Sequence, residues 1–223
     1  MSHYFIEDPR EHGLKFNPFK ALVAPRPIAW VSTVSAKGVI NLAPYSFFNA
    51  VSDAPPMIVF APNNPRPGGG AKDTLTNLEQ TGEFVVNLCS FDLREQMNAS
   101  SAHVDPDIDE FDLAGLTKAE CHHVKVPRVA EAPAALECKF LFRTRLPSWH
   151  AKVENNVVFG EVKGIHIAEN ILKDGLVDML AYRPLARLGY MDYSHVQEVF
   201  AMERPDGDLA SYESSKAKRR AAE

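Results

Sequence analysis

The sequence predicts a mainly β, antiparallel architecture with a few short helices, and three observations carry that prediction. Two β-rich runs, Pro25–Val34 and Val39–Ser52, flank a Ser35-Ala36-Lys37-Gly38 connection, which is the pattern of a hairpin. A long run from Ala134 to Leu146 alternates in polarity, and after a loop a second β-rich run extends from Val157 to Ile167. Helical spacing is confined to short stretches, after Lys72 and from Leu93 to Ser100. A chain of 223 residues is long enough for one large β domain with its own core. We read residues 1–204 as that domain and 205–223 as a polar tail.

Composition excludes several classes of partner. The formal charge is −5, so there is no broad basic field to hold nucleic acid. The apolar runs are strand-sized, so no membrane span is expected. The opening Met-Ser-His-Tyr-Phe-Ile-Glu-Asp lacks a basic stretch followed by an apolar one, and a cytoplasmic protein is expected. Cys89, Cys121 and Cys138 are odd in number and without paired spacing, which fits a reducing compartment and argues against a disulfide framework. They read as small buried hydrophobes. His122 and His123 follow Cys121, but no zinc-ligand spacing is visible and no metal is expected.

In chain order, Tyr4-Phe5 reads as a short strand and Pro18–Leu22 as a helical turn. In the first main strand Ile28, Trp30 and Ser32 share one face, and Ala29, Val31 and Thr33 the other. Arg26, held extended between two prolines, fits a phosphate contact, a subunit contact or, as the reading preferred, a surface salt bridge. Pro44 offers no N–H to a ladder and must sit at an edge, a bulge or an exit. Beyond it Tyr45, Phe47 and Phe48 alternate with Ser46 and Asn49. That mixture suits a pocket for a flat, partly polar ring, although composition alone favours a barrel rim whose aromatics fill the core.

Residues 62–70, with three prolines and three glycines, read as a loop. Lys72-Asp73-Thr74 then opens a helix with Asp73 or Thr74 as N-cap, and Gly82 closes it. A helix start beside a lysine is a ready anion site, although the P-loop spacing is absent. Asn87 is a lone polar residue in an apolar strand, and a backbone partner is expected for it. The acidic segment 101–112, with His103, reads as a solvated loop without Ca²⁺-loop spacing. On the run Ala134–Leu146, Glu137, Lys139, Leu141, Arg143 and Arg145 are assigned to the exposed face. Asn155-Asn156 reads as a turn, and His166 as structural.

Four segments resemble the flavin reductase-like, FMN-binding split-barrel family. They are Asn41-x-Ala43-Pro44-Tyr45-Ser46-Phe47-Phe48-Asn49, Lys72-Asp73-Thr74, Gly82-Glu-Phe-Val-Val-Asn87 and Pro184-Leu-Ala-Arg-Leu-Gly189. They fall in the family's order and together cover roughly Asn17 to Phe200. The resemblance implies an antiparallel split β-barrel of Greek-key type that binds FMN. It implies phosphate or ribityl contacts from Ser32 and Thr33, phosphate contacts from Lys72 and Thr74 with Asp73 beside them in the cofactor site, and ring contacts from the Asn41–Asn49 motif. It also implies that Arg187, Leu188, Gly189 and Tyr190 approach the isoalloxazine and that segment 101–112 lies near the cofactor edge. His150 stands several residues earlier than the histidine many relatives carry.

In such proteins the cofactor carries the chemistry, which accounts for the lack of a triad or paired carboxylates and leaves catalytic residues unassigned. The implied reaction takes hydride from NADH or NADPH onto flavin and passes electrons to free flavin or a partner monooxygenase. No dinucleotide glycine fingerprint is present, so the nicotinamide would bind transiently. A flavoredoxin-like electron carrier reduced by a protein, and a flavin-dependent oxygenase on a small organic substrate, need the same pocket. The resemblance also implies a homodimer.

Overall fold

The computed structural model describes residues 1–63, 70–150 and 153–202. Ten strands carry the architecture: β1 (Arg26–Pro27), β2 (Ala29–Val34), β3 (Ile40–Tyr45), β4 (Phe48–Asp53), β5 (Pro56–Phe60), β6 (Glu83–Leu88), β7 (Ala134–Leu146), β8 (Asn155–Ile167), β9 (Leu185–Arg187) and β10 (Tyr193–His195). Seven of them form one antiparallel sheet in the order β3-β2-β6-β7-β8-β5-β4. Its two edges, β3 and β4, are consecutive in the chain and joined by Ser46 and Phe47 alone. In a flat sheet those edges would stand about 29 Å apart, at roughly 4.8 Å per strand. A two-residue link spans only about 10 Å. The sheet must therefore curl until its edges nearly meet at this end, which gives the split barrel.

The predicted hairpin is β2–β3, in register from Ala29 opposite Tyr45 to Val34 opposite Ile40. Its turn closes through the Gly38 N–H donating to Ser35 O at 2.9 Å. Gly38 sits at φ +85°, a conformation that costs glycine little. The strand does not break at Pro44. It runs on to Tyr45, because an edge strand can spare the missing N–H.

β2 is buried on both faces. Ala29 and Val31 look into the barrel with Tyr45, Phe60, Phe84, Val86 and Val158. One open end is plugged by Leu75 and Leu78 of helix α2 (Asp73–Thr81). Trp30 and Leu42 pack on the outside against Met97 of α3 (Arg94–Ala99) and Phe111 of α4 (Glu110–Ala114). The Trp30 indole donates to Ser100 Oγ at 2.8 Å, so burying it leaves no orphaned N–H.

A small sheet, β1-β9-β10, folds the C-terminal segment back onto the start of the barrel. Arg26 holds it there. This arginine is buried and donates to Lys20 O, Val23 O and, at 2.7 Å, Leu188 O. The expected surface salt bridge is thus corrected: three carbonyls converge on a position that water barely reaches. Gly189 lies so close to the preceding N-terminal turn that a Cβ there would meet Ala21 Cα at 2.6 Å.

Other expectations change as well. Tyr4-Phe5 forms no strand, and Asn155-Asn156 already pairs with Leu146 and Arg145 as the start of β8. The N-cap of α2 is Lys72, because the Thr74 hydroxyl is taken up inside the fold. Glu137 faces outward from the barrel, yet it is 1% exposed, covered by the chain around residues 121–126. Most of the 62–70 loop and the whole 205–223 tail lie outside the described residues. Among the described residues no helix is long and apolar enough to cross a membrane.

Candidate functional site: two adjoining grooves at the barrel rim

The C-terminal half of β3, the start of α2 and the loop after α3 enclose a groove of about 650 Å³. Asn41, Ala43, Pro44 and Tyr45 form one wall, Lys72, Asp73 and Thr74 a second, and the segment Ser100–Asp105 with Ile108 and Glu110 the rest. A second groove of about 570 Å³ shares Pro44 and Ser101 with the first, so the two adjoin. Its walls include Phe16, Lys20, Arg26, Ser46, Met97, Asn98, Arg187, Leu188, Tyr190 and Tyr193.

Thr74 is the hub of the first groove. Its Oγ1 accepts from Tyr45 Oη at 2.8 Å and from Asn41 Nδ2 at 3.0 Å. A hydroxyl has two acceptor positions and one hydrogen to give. Both acceptor positions are filled, and among the described residues that hydrogen has no acceptor. Directly beside it is the start of α2, whose first N–H groups lack intrahelical partners and receive no side-chain cap from Lys72. Lys72 is half-buried, and burial lowers its pKa while Asp73 opposes that shift. Its Nζ lies 5.5 Å from the centre of the Tyr45 ring. A helix start, a threonine hydroxyl and an ammonium around one hollow have the chemistry that suits an anionic group.

Glu110 closes the opposite wall. Its Oε2 accepts from the Leu42 N–H at 2.9 Å. Burial pushes its carboxyl up to about 7, with Asp109 and Asp73 adding to the rise.

The second groove is shaped by the family-like closing segment. Arg187 donates to Tyr193 Oη and, at 2.5 Å, to Tyr190 O, while its guanidinium lies 4.4 Å from the Tyr193 ring centre. Tyr190 occupies the left-handed region at φ +55°, unusual for a side-chain-bearing residue. Its ring centre stands 5.7 Å from that of Phe16. Aromatic and aliphatic walls with a few fixed donors suit a flat heteroaromatic ring.

The structure thus brings together Asn41, Ala43, Pro44, Tyr45, Lys72, Asp73 and Thr74 at the first groove, and Ser46, Arg187 and Tyr190 at the second. It does not bring Ser32 or Thr33 to either. Both are fully buried: Ser32 donates to Pro127 O at 2.7 Å, and Thr33 accepts from Asn77 Nδ2 at 3.0 Å. Both hydroxyls are engaged by partners inside the fold, away from the two grooves. Phe47, Phe48 and Asn49 also stand apart from these grooves. Phe47 lies against the Arg26 guanidinium, Phe48 packs on the barrel core, and Asn49 accepts from the Ala50 N–H. Asn87 bonds Trp30 O and the Val129 N–H, as the backbone reading expected.

Sequence reasoning missed Ser100, Ser101 and Glu110. Ser100 reads as the end of a helical stretch, and Glu110 as one more acid in a solvated loop. The available signal was local: an acid buried at the first turn of a helix capped by Asp109.

Two adjoining grooves at the rim of a split barrel thus form the candidate site. Residues 22–186 match the flavin reductase like domain, and the chain belongs to that family. An uncharacterized protein of Aquifex aeolicus (strain VF5) is 41% identical over 169 residues, 75% of this chain and 83% of that one. The crystal structure of nitrilotriacetate monooxygenase component B from Bacillus cereus superposes with a TM-score of 0.81 at 31% identity, covering 91% of this chain and 100% of that one. Pseudomonas fluorescens 2-nitrobenzoate 2-nitroreductase NbaA gives a TM-score of 0.73 at 28% identity, covering 85% of this chain and 89% of that one.

Proposed function

We propose that this protein is an FMN-dependent oxidoreductase that accepts hydride from NADH or NADPH and delivers electrons to free flavin or to a partner monooxygenase. One observation carries the reading: an anion receptor at Lys72 and Thr74 opens directly into a ring-sized groove walled by Pro44, Ser46, Arg187 and Tyr190. FMN has both parts, a phosphate and a flat ring. Lys72, Thr74 and the start of α2 would hold the phosphate. Pro44 and Tyr190 would flank the ring, with Ser46 and Arg187 as hydrogen-bond donors.

When bound, FMN supplies the two-electron chemistry; the chain's residues bind, orient and exclude water. Arg187 is held in place by its bonds to Tyr190 and Tyr193, so its charge is fixed before any ligand arrives. A third hollow of about 360 Å³ shares Met97, Asn98, Arg187, Met191 and Tyr193 with the second groove. Arg94 and His195 line it too, which suits the phosphates of a transient nicotinamide donor. Two of the solved structures that this chain resembles have names tied to redox work, a monooxygenase component and a nitroreductase.

A homodimer is part of the proposal. β7 carries exposed Leu141, Phe142 and Leu146 toward its end, an apolar surface of the kind that pairs copies of a chain.

The test is a visible spectrum of protein desalted after FMN addition, repeated anaerobically with each nucleotide. A retained flavin band that bleaches within seconds under NADH or NADPH supports the reductase and names its donor. A retained band that stays oxidised transfers the reading to an electron carrier. No retention and no flavin reduction in steady-state assay refutes it. Sedimentation velocity reads the dimer directly.

A further inference from the structure

Away from the grooves, the fold gathers Cys121, Glu137 and His166 on the outside of the barrel. The cysteine Sγ, a carboxylate oxygen and an imidazole nitrogen all lie within 4.8 Å of one another. None of the three lines any of the hollows described above.

Glu137 is the anchor. Its Oε1 accepts from the His122 N–H at 2.9 Å and stands 2.6 Å from His166 Nε2. Its Oε2 accepts from the His123 N–H at 2.5 Å. A carboxylate has about four lone-pair positions, so one remains open. Among the described residues, His166 is the only basic side chain within ion-pair distance of this buried carboxylate. A carboxylate fixed by these three partners and still offering a lone-pair position can take a cation as a further one.

The backbone around the cluster is closely built. A register shift between Val162 and Gly164 bends β8 beside the cluster. At Gly164 a Cβ would come within 2.9 Å of the His123 ring and 3.4 Å of the Glu137 carboxylate. The His122 ring stacks on that of His166, centres 5.6 Å apart, and so stands next to the cluster.

We propose that Cys121, Glu137 and His166 bind a divalent transition-metal ion, with Zn²⁺ the best match, and that the ion clamps the segment around residues 121–126 to β7 and β8. Zinc takes sulfur, nitrogen and oxygen ligands together in a tetrahedron, whereas a thiolate is foreign to Mg²⁺ and Ca²⁺ sites. Water or His122 fills the fourth position. Binding exchanges protons for the ion and moves no electrons. The Cys121 thiol releases its proton to solvent, and the hydrogen between His166 and Glu137 gives way to the metal, leaving the imidazole protonated at Nδ1. The two backbone N–H donors keep the carboxylate oriented throughout. The clamp has a structural purpose, because Val124 and Val126 of the same segment cover Val85 and Ala135. Sequence spacing hid the site, since its ligands come from a loop and two strands far apart in the chain.

The test uses untagged full-length protein, stripped with a chelator and titrated with Co²⁺ and then Zn²⁺. The expected result is one equivalent of Co²⁺ per chain with a thiolate-to-cobalt charge-transfer band that Zn²⁺ abolishes. Cys121→Ser should lose that band and weaken Zn²⁺ binding at least tenfold, and His166→Gln should weaken it similarly. Should either variant fail to fold, the unaltered protein still decides. Zn²⁺ should slow alkylation of Cys121, the half-buried cysteine, at least tenfold by mass spectrometry, while the buried Cys89 and Cys138 serve as internal references. Absence of the charge-transfer band, Cys121 alkylation indifferent to Zn²⁺, or unchanged affinity in a folded Cys121→Ser protein would each overturn the assignment.

Discussion

Replacing Thr74 by valine conserves shape and removes one oxygen. That oxygen is 1% exposed and accepts from Tyr45 Oη at 2.8 Å and Asn41 Nδ2 at 3.0 Å. Stranding a buried donor costs about 1–3 kcal/mol. Tyr45 and Asn41 are both buried in the wall of the groove, where water can replace part of what is lost. The expected destabilisation of Thr74→Val is therefore about 1–3 kcal/mol, read by urea unfolding. Tyr45→Phe removes donor and bond together and should cost less. The double variant should be about 1 kcal/mol more stable than the sum of the singles, because no hydroxyl is then stranded. Thr74→Val also loses the free hydroxyl hydrogen, so FMN affinity should fall at least tenfold, about 1.4 kcal/mol. A destabilisation under about 0.5 kcal/mol with additive singles would refute Thr74 as the hub of this wall.

Lys72→Met should weaken FMN at least tenfold while leaving riboflavin, which lacks the phosphate, unchanged; equal losses for both in fluorescence titrations would place the anion elsewhere. Glu110 titrates near 7 when folded against 4.5 unfolded, so its stabilising contribution is complete below pH 4.5 and disappears as pH rises to about 7. Glu110→Gln should flatten that part of the stability profile, worth about 3 kcal/mol. Glu137 behaves oppositely: backbone and His166 hydrogen bonds outweigh its burial and hold it down at about 2, so its contribution is present above pH 4.5 and lost as pH falls toward 2. Glu137→Gln should remove that acid limb, and an unchanged limb in the acid titration would count against the bonded carboxylate. Gly189→Ala should lower thermal stability and displace the Arg187–Tyr190 segment, since the new methyl meets Ala21 backbone at 2.6 Å; a neutral Tm would show that the N-terminal turn yields freely.

Much of the site was legible because its signals are local. Lys72-Asp73-Thr74 before an amphipathic helix states an anion site through backbone chemistry that any helix start shares, and Gly82 marks the helix end by its left-handed conformation at φ +70°. The hairpin around Gly38 was equally plain, since turn and strands lie within about twenty residues.

What a residue does with its hydrogen bonds depends on which strand lies opposite, and that is decided by long-range pairing. Ser32 and Thr33 stand at a strand end in the family's manner, yet Pro127 and Asn77 reach them across the fold and consume their hydroxyls. Arg26 looks exposed between prolines until residues 20, 23 and 188 deliver three carbonyls to it. Alternation along β7 puts Glu137 outward, correctly, but outward is not exposed once His122 and His123 cover it. The amino-acid order alone therefore determined the β class, the hairpin, the helix start after Lys72 and the family, all of which rest on short-range backbone preference and contiguous motifs. Tertiary structure alone decided the curl that closes the barrel, the joining of the two grooves and the meeting of Cys121, Glu137 and His166, because each depends on contacts between segments that sequence spacing does not relate.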